Sequence, residues 1–333
     1  GAQIKPINKS SVEIDPRHVN SFVVTKKMAE GMRASSYFLG ALLGRMQRAR
    51  VAPPGGCDFG VRPIDQHIKG FEALGAKMVI EIGMVDAKAQ HLTGCSIYLD
   101  VVSVGATINI MLAAVKASGL TVIENAAREP HIVDLANFLN SMGADIMGAG
   151  TSVIKIRGVK HMHGTSYSII PDQIEAGTYM AAAVATRGDV LVTNVTPKHL
   201  ESIIAKLVET GAEVTEYDEA VRVQMTRRPH KCNIKTMPHP GFPTDMQPQI
   251  AVLLSIAEGT SIITEGVWDS RFRYVEQLTL MGADIQVDGK MAVITGVEEL
   301  HSSPVRAVDL RAGATMIIAG LVADGVTEIE EID

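Results

Sequence analysis

The sequence predicts an α/β fold in two domains, each with apolar helices at its centre and sheets and amphipathic helices around them. Three observations predict it. The chain has 333 residues, more than one ordinary domain needs. A Gly-Ala pair closing a helical stretch recurs at Gly75-Ala76, Gly143-Ala144, Gly211-Ala212 and Gly282-Ala283, at steps of 68, 68 and 71 residues. A glycine ending a very apolar stretch recurs at Gly119, Gly188, Gly259 and Gly325, at steps of 69, 71 and 66. Two independent markers on one period of about 70 define a repeated unit. A solenoid would repeat at a shorter period, and a doubly wound sheet would not repeat in this way.

Within a unit the elements follow in a fixed order. First comes a stretch such as 179–186, apolar on nearly every side and therefore a buried helix. Gly188 closes it as a C′ residue, where a positive φ is tolerated. A short β-branched strand follows, as in 121–124. Next is an amphipathic helix such as 132–142, with apolar residues at 132, 133, 135, 136, 139 and 142. After the Gly-Ala pair come further strands, as in 153–156. A helix buried on all sides needs sheets around it. On this period the chain opens with Gly1-Ala2, and the next pair falls due at roughly 350. It is therefore expected to start and stop in mid-repeat, as a shortened form of a longer protein.

Composition narrows the class without naming a task. Hydrophobic residues make up 46% and aromatics 4%, so the cores are aliphatic, helped by 16 methionines. No run of about 18 uncharged apolar residues offers a membrane span, and no basic-then-apolar signal pattern opens the chain. Cys57, Cys95 and Cys232 are too few and too scattered for a disulfide framework, which points to a reducing cytoplasm. The net charge of −6 gives no reason to expect nucleic acid. There is no Cys-x-x-Cys or histidine cluster for zinc, no Gly-x-Gly-x-x-Gly, and no phosphate loop.

The chemistry is sought where loops enter the apolar helices: Lys27 to Ser35, Ser103 to Thr107, Pro171 to Thr178, Pro243 to Met246, and Asp309 to Ala312. Helix N-termini present free N–H groups and a positive dipole end, so five of them converging would trap anions. Capping is the ordinary reading of Ser, Thr and Asp at such places. Arg33 and Arg311 resist it, because a cation there is unfavourable unless an anion joins it. The stretch Pro53-Pro54-Gly55-Gly56-Cys57-Asp58-Phe59-Gly60-Val61-Arg62-Pro63 forbids regular structure and makes Cys57 accessible. Arg62 would favour its thiolate, although a lone loop cysteine is more often incidental. Asp245 follows three prolines in Met237 to Thr244. It reads equally as a helix cap and as a stiffly held general base.

Several of these segments together resemble a known family, the UDP-N-acetylglucosamine 1-carboxyvinyltransferases. They are Pro54-Gly55-Gly56-Cys57, Arg62-Pro63-Ile64-Asp65, Ser103-Val104-Gly105-Ala106-Thr107, Glu124-Asn125-Ala126-Ala127-Arg128-Glu129-Pro130, Gly241-Phe242-Pro243-Thr244-Asp245 and Asp309-Leu310-Arg311-Ala312. The similarity runs from Gly1 to Asp333. Pro-Gly-Gly-Cys-Asp with Met32-Arg33-Ala34-Ser35 is similar to the second of two paralogues in some Gram-positive bacteria. The resemblance implies an inside-out α/β barrel fold of six repeats in two domains, here 1–170 with the cysteine loop and 171–333. It implies transfer of enolpyruvyl from phosphoenolpyruvate to the 3′-hydroxyl of UDP-N-acetylglucosamine, with phosphate released, at the first committed step of peptidoglycan synthesis. A monomeric cytoplasmic enzyme is expected, without metal or cofactor and away from membrane and nucleic acid.

The implied roles attach residue by residue. Cys57 is the acid toward the enolpyruvyl methylene and the thiol captured by the epoxide fosfomycin. Asp245 takes the sugar hydroxyl proton, and Asp309 assists proton transfer. Arg62 and Arg311 hold the phosphate and carboxylate of phosphoenolpyruvate. Contacts to the UDP-sugar fall to Arg33, to Arg62, Pro63, Ile64, Asp65 and Gln66, to Val101, Val102, Ser103, Val104 and Gly105, and to Asp245, Val267 and Arg271. Val101 stands where many members carry lysine, Gln173 where arginine is usual, and His131 where glutamate is common. The family's N-terminal Lys-Asn pair and C-terminal Arg-Gly-Tyr segment have no counterpart in the sequence, so this form is expected to lack turnover. Two other readings compete with it: a shikimate-type enolpyruvyl transferase, which works without the cysteine, and a non-catalytic UDP-sugar-binding form.

Overall fold

The computed structural model describes residues 1–53 and 63–332. They form two compact units: 1–53, 63–126 and 135–165 in the first, and 127–134 and 166–332 in the second. The α-helices among the described residues are α1 (Lys26–Ala29), α2 (Phe38–Met46), α3 (Asp65–Ala73), α4 (Val104–Ala114), α5 (Pro130–Ser141), α6 (Gln173–Ala185), α7 (Glu201–Glu209), α8 (Gln247–Ser255), α9 (Val275–Leu280) and α10 (Leu310–Val322). Among the described residues the order apolar helix, strand, outer helix, Gly-Ala, then two strands occurs four times.

The sheets repeat accordingly. In the first unit Val23–Val24 runs parallel to Arg48–Val51, then Met84–Lys88 and Lys77–Glu81 continue antiparallel. Ser96–Tyr98, Leu120–Glu124, Val153–Arg157 and Asp145–Met147 repeat that order. In the second unit Ile234–Lys235, Thr260–Thr264, Met291–Thr295 and Asp284–Asp288 do so again. Asp189–Thr193, Ala220–Gln224 and Glu213–Glu216 form a three-stranded antiparallel version.

The Gly-Ala pairs are helix C-termini with one geometry. Gly75, Gly143, Gly211 and Gly282 take φ of 94°, 94°, 95° and 90°. After α3 the Gly75 N–H reaches the Glu72 carbonyl at 2.9 Å and the Ala76 N–H reaches Phe71 at 2.9 Å. After α7 the same pair of bonds joins Gly211 to Val208 and Ala212 to Leu207. These two bonds absorb carbonyls that the helix leaves unpaired, and a left-handed residue is needed to form them.

Gly188 departs from the expectation. The left-handed residue after α6 is Arg187 at φ 53°, and the Gly188 N–H instead returns to the Ala183 carbonyl at 2.8 Å. The C-cap is Thr186, so the C′ position falls one residue before the glycine. The apolar helices also differ in how completely they are enclosed. All nine residues of α8 are buried, whereas Tyr179 of α6 is 59% exposed, and Leu310, Ile317 and Leu321 of α10 are exposed. Flanking α10 are only the two-residue parallel pairs Leu300–His301 with Ala323–Asp324 and Val305–Arg306 with Ile329–Glu330. No full sheet closes over it among the described residues.

In the first unit α2 lies against α4 at backbone contact. A Cβ on Gly40 would fall on the Asn109 carbonyl, and one on Gly44 would sit 2.8 Å from the Leu112 oxygen. The Asn109 amide oxygen accepts the Gly40 N–H at 2.8 Å, so a buried polar side chain fixes the approach. In the second unit one aliphatic core joins α6, α8 and α10 to the inner faces of the sheets, including Met180, Val184, Leu253, Leu254, Ile263 and Met316. The outer helices α7 and α9 add Ile203, Leu207 and Leu278.

Candidate active site

Apart from Arg33, the predicted residues that the structure describes fall into two clusters, one in each unit. Cys57 and Arg62 lie outside the described residues.

In the first unit the cluster forms where α3 and α4 begin. Pro63 and Ile64 lead into α3, and Asp65 and Gln66 open it. The Gln66 side chain is buried and accepts the Asp100 N–H at 2.8 Å; its amide donates to the Asp65 carboxylate at 2.7 Å and to Asp100 at 3.2 Å. Lys69, one turn along, donates to Asp100 at 2.8 Å. Lys69 first, then Gln66, hold the Asp100 carboxyl below its ordinary value. This network fastens the segment 63–66 to the segment 100–105, so two stretches read separately in the sequence occupy one place. Val101 and Val102 are exposed there. Ser103 caps α4, its hydroxyl accepting the Ala106 N–H at 3.2 Å. Gly105 faces His67, whose ring nitrogen lies 3.0 Å from where a Cβ would be, and burial lowers the His67 pKa. Arg33 opens the short 3-10 turn Arg33–Tyr37.

In the second unit the partners of Asp245 are two guanidinium groups. Asp245 sits inside the 3-10 turn Thr244–Met246, whose N-cap is Pro243, and α8 follows directly. Among the described residues its carboxylate caps no helix. One oxygen accepts from Arg271 at 3.2 Å and the other from Arg311 at 3.1 Å. The Arg271 side chain is fully enclosed, while Asp245 is 41% and Arg311 24% exposed. A carboxylate clamped by two guanidinium groups is fixed in direction and keeps an open face. Arg311 thus finds the anion that its place at a helix start requires.

Asp309, by contrast, is a cap. It is 8% exposed, and its carboxylate accepts the N–H groups of Arg311 at 2.8 Å and Ala312 at 2.9 Å. Those bonds orient the first turn of α10 and so aim Arg311. Beneath the cluster lies Tyr274, fully buried; burial raises its hydroxyl pKa steeply, with Arg271 the chief counterweight. Asp172 caps α6 through Ile174 at 2.8 Å and Glu175 at 3.4 Å, directly before Gln173.

Sequence reasoning missed Glu265. It is 1% exposed, and both of its oxygens are used. One accepts the backbone N–H groups of Val267 at 2.8 Å and Trp268 at 3.0 Å. The other accepts the Thr244 hydroxyl at 3.0 Å and the Gln247 amide at 3.4 Å. Locally it looks like a polar residue ending the strand Thr260–Thr264, which carries no signal of this role. Among the described residues no group of three His, Cys, Asp or Glu is placed to hold a metal, and no helix is long and apolar enough to cross a membrane.

Known proteins share both fold and sequence with this chain. It is 59% identical to "UDP-N-acetylglucosamine 1-carboxyvinyltransferase 3" of Caldanaerobacter subterraneus subsp. tengcongensis, over 97% of its length and 78% of the relative's. It is 56% identical to the UDP-N-acetylglucosamine 1-carboxyvinyltransferase of Clostridium botulinum, over 100% of its length and 81% of the relative's. Among solved structures, the enolpyruvyl transferase NikO from Streptomyces tendae superposes with a TM-score of 0.88 at 25% identity, covering 99% of this chain and 79% of that one. EPSP synthase from Acinetobacter baumannii shares the fold at a TM-score of 0.74 and 19% identity, over 99% of this chain and 80% of that one. The pattern of the EPSP synthase (3-phosphoshikimate 1-carboxyvinyltransferase) family matches residues 1–333, and the chain belongs to that family.

Proposed function

We propose that this protein transfers the enolpyruvyl group of phosphoenolpyruvate to the 3′-hydroxyl of UDP-N-acetylglucosamine and releases phosphate. The observation that carries the reading is Asp245, held between Arg271 and Arg311 instead of capping a helix. The names of its relatives fit that reading.

The chemistry requires an acid at one carbon and a base at the incoming oxygen. Asp245 takes the hydroxyl proton as the sugar oxygen bonds to C2 of phosphoenolpyruvate, and Cys57 delivers a proton to C3. The thiolate left on Cys57 then takes a proton back from C3, the C2–O bond to phosphate breaks, and the C2–C3 double bond re-forms as phosphate leaves. Arg311 and Arg62 bind the phosphate and carboxylate groups of phosphoenolpyruvate. An anion competing for the Arg311 guanidinium releases the second oxygen of Asp245, so arrival of one substrate readies the base for the other. Asp309 aims Arg311 through its two backbone bonds. The sugar nucleotide is held by Arg33, by Arg62, by the linked segments 63–66 and 101–105, and by Val267 and Arg271. The division into domains at 170/171, a monomeric state and a cytoplasmic site in peptidoglycan synthesis belong to the same proposal.

The test is phosphate release from phosphoenolpyruvate with two acceptors, run in the full-length protein. Release dependent on UDP-N-acetylglucosamine supports the reading. Release dependent on shikimate 3-phosphate assigns the chain to the shikimate-type reaction, and binding of the UDP-sugar without release makes it a binding form.

A further inference from the structure

We infer that Glu265 is a positioning residue that ties the sugar contact at Val267 to the base at Asp245, so that one buried carboxylate sets both; the inference rests on the function proposed above. Its two oxygens serve two different segments. One oxygen gathers the N–H groups of Val267 and Trp268 at 2.8 and 3.0 Å and fixes the loop that leaves the strand Thr260–Thr264. The other gathers Thr244 and Gln247 at 3.0 and 3.4 Å, the residues just before and two after Asp245. The loop it fixes runs on to Arg271, which closes back onto Asp245 at 3.2 Å.

Asp245 is therefore held at both ends of one ring of contacts: through its own carboxylate to Arg271, and through its turn to Glu265. A carboxylate at 1% exposure is costly to desolvate unless its lone pairs are filled, and four donors fill them. An apolar side chain of the same volume would leave those four donors without acceptors. What an apolar side chain cannot do is accept from two loops at once and fix the distance between them. General-base catalysis needs that distance held to a fraction of an ångström.

Three variants test the inference in the full-length enzyme. Glu265→Gln keeps the volume but offers one acceptor oxygen, so one of the two loops meets an amide donor instead. We expect a folded protein with kcat reduced at least tenfold, KM for UDP-N-acetylglucosamine raised several-fold, and KM for phosphoenolpyruvate within twofold of the parent. Thr244→Val removes a donor only on the Asp245 side and should lower kcat with both KM values unchanged. Thr244→Ser keeps the hydroxyl and should restore it. Folding is checked by circular dichroism and the melting temperature. A folded Glu265→Gln enzyme with kcat and sugar KM both within twofold of the parent overturns the inference. So does equal loss in Thr244→Val and Thr244→Ser. Failure of the underlying reading shows itself separately, as a parent enzyme that releases no phosphate with UDP-N-acetylglucosamine.

Discussion

Replacing Asp245 by asparagine removes one negative charge and leaves size and shape almost unchanged. In the structure that charge sits 3.2 Å from Arg271 and 3.1 Å from Arg311. The carboxylate is 41% exposed and Arg311 24%, so solvent screens that pair, but Arg271 is fully enclosed; loss of the charge should cost about 1–3 kcal/mol of stability. The catalytic cost is larger. A positioned general base contributes about 10²–10⁴ in rate, or roughly 3–5 kcal/mol in the barrier. Asp245→Asn should therefore lower kcat by two to four orders of magnitude, with approximate limits set by that range. The melting temperature should fall by several degrees, as about 1–3 kcal/mol implies. Affinity for UDP-N-acetylglucosamine, measured by calorimetry, should change by only several-fold. The capping alternative predicts the opposite, since asparagine caps as well as aspartate. Phosphate release within threefold of the parent in a folded Asp245→Asn enzyme would refute the assignment of the base.

Other expectations follow from single contacts. Fosfomycin should alkylate Cys57 alone in peptide mass spectrometry: burial pushes the Cys232 thiol up to about 12 and raises Cys95 as well, so neither competes as a thiolate. Labelling of Cys95 or Cys232 at a rate equal to Cys57 would contradict this. Gly40→Ala puts a Cβ onto the Asn109 carbonyl and should destabilise by about 1–3 kcal/mol in urea unfolding. Gly211→Ala at φ 95° should cost about 1 kcal/mol for its left-handed backbone, read the same way. Burial, first among the causes, holds His131, His199 and His239 below the ordinary histidine value, against Glu129, Asp134, Asp172 and Glu201, which act to raise one or another of them. The unfolded chain then binds protons more readily than the folded one. Stability is thus present above the unfolded value of about 6.5 and is lost as pH falls through the lower folded values. The urea midpoint should drop between pH 7 and pH 5, and His131→Gln should reduce the drop.

What the sequence discloses and what it hides divides along the range of the interactions. Gly75, Gly143, Gly211 and Gly282 were legible because a helix C-terminus is decided within six residues, and all four adopt the positive φ that the motif demands. The strand read at 121–124 spans Leu120–Glu124, and the helix read at 132–142 spans Pro130–Ser141. Gly188 misled because its neighbour Arg187 takes the left-handed position, and local sequence does not distinguish a glycine at C′ from one just past it. The ambiguity of Asp245 could not be resolved locally: its partners stand 26 and 66 residues away. Glu265 was missed for the same reason, with side-chain partners 18 and 21 residues distant and nothing in Thr264-Glu265-Gly266 to mark it. The pairing of 63–66 with 100–105 likewise depends on Gln66 and Asp100, 34 residues apart. For Asp245 and the segment 63–66 the resemblance to a family supplied names for residues, and the structure supplied their contacts; for Glu265 the structure supplied both.

The identity of the product tests the proposed reaction most directly. The full-length protein, incubated with phosphoenolpyruvate and UDP-N-acetylglucosamine, should release one phosphate per sugar consumed, and proton NMR should show vinyl ether protons on the 3′-oxygen. Absence of that vinyl ether, with phosphate released only when shikimate 3-phosphate is the acceptor, would contradict it.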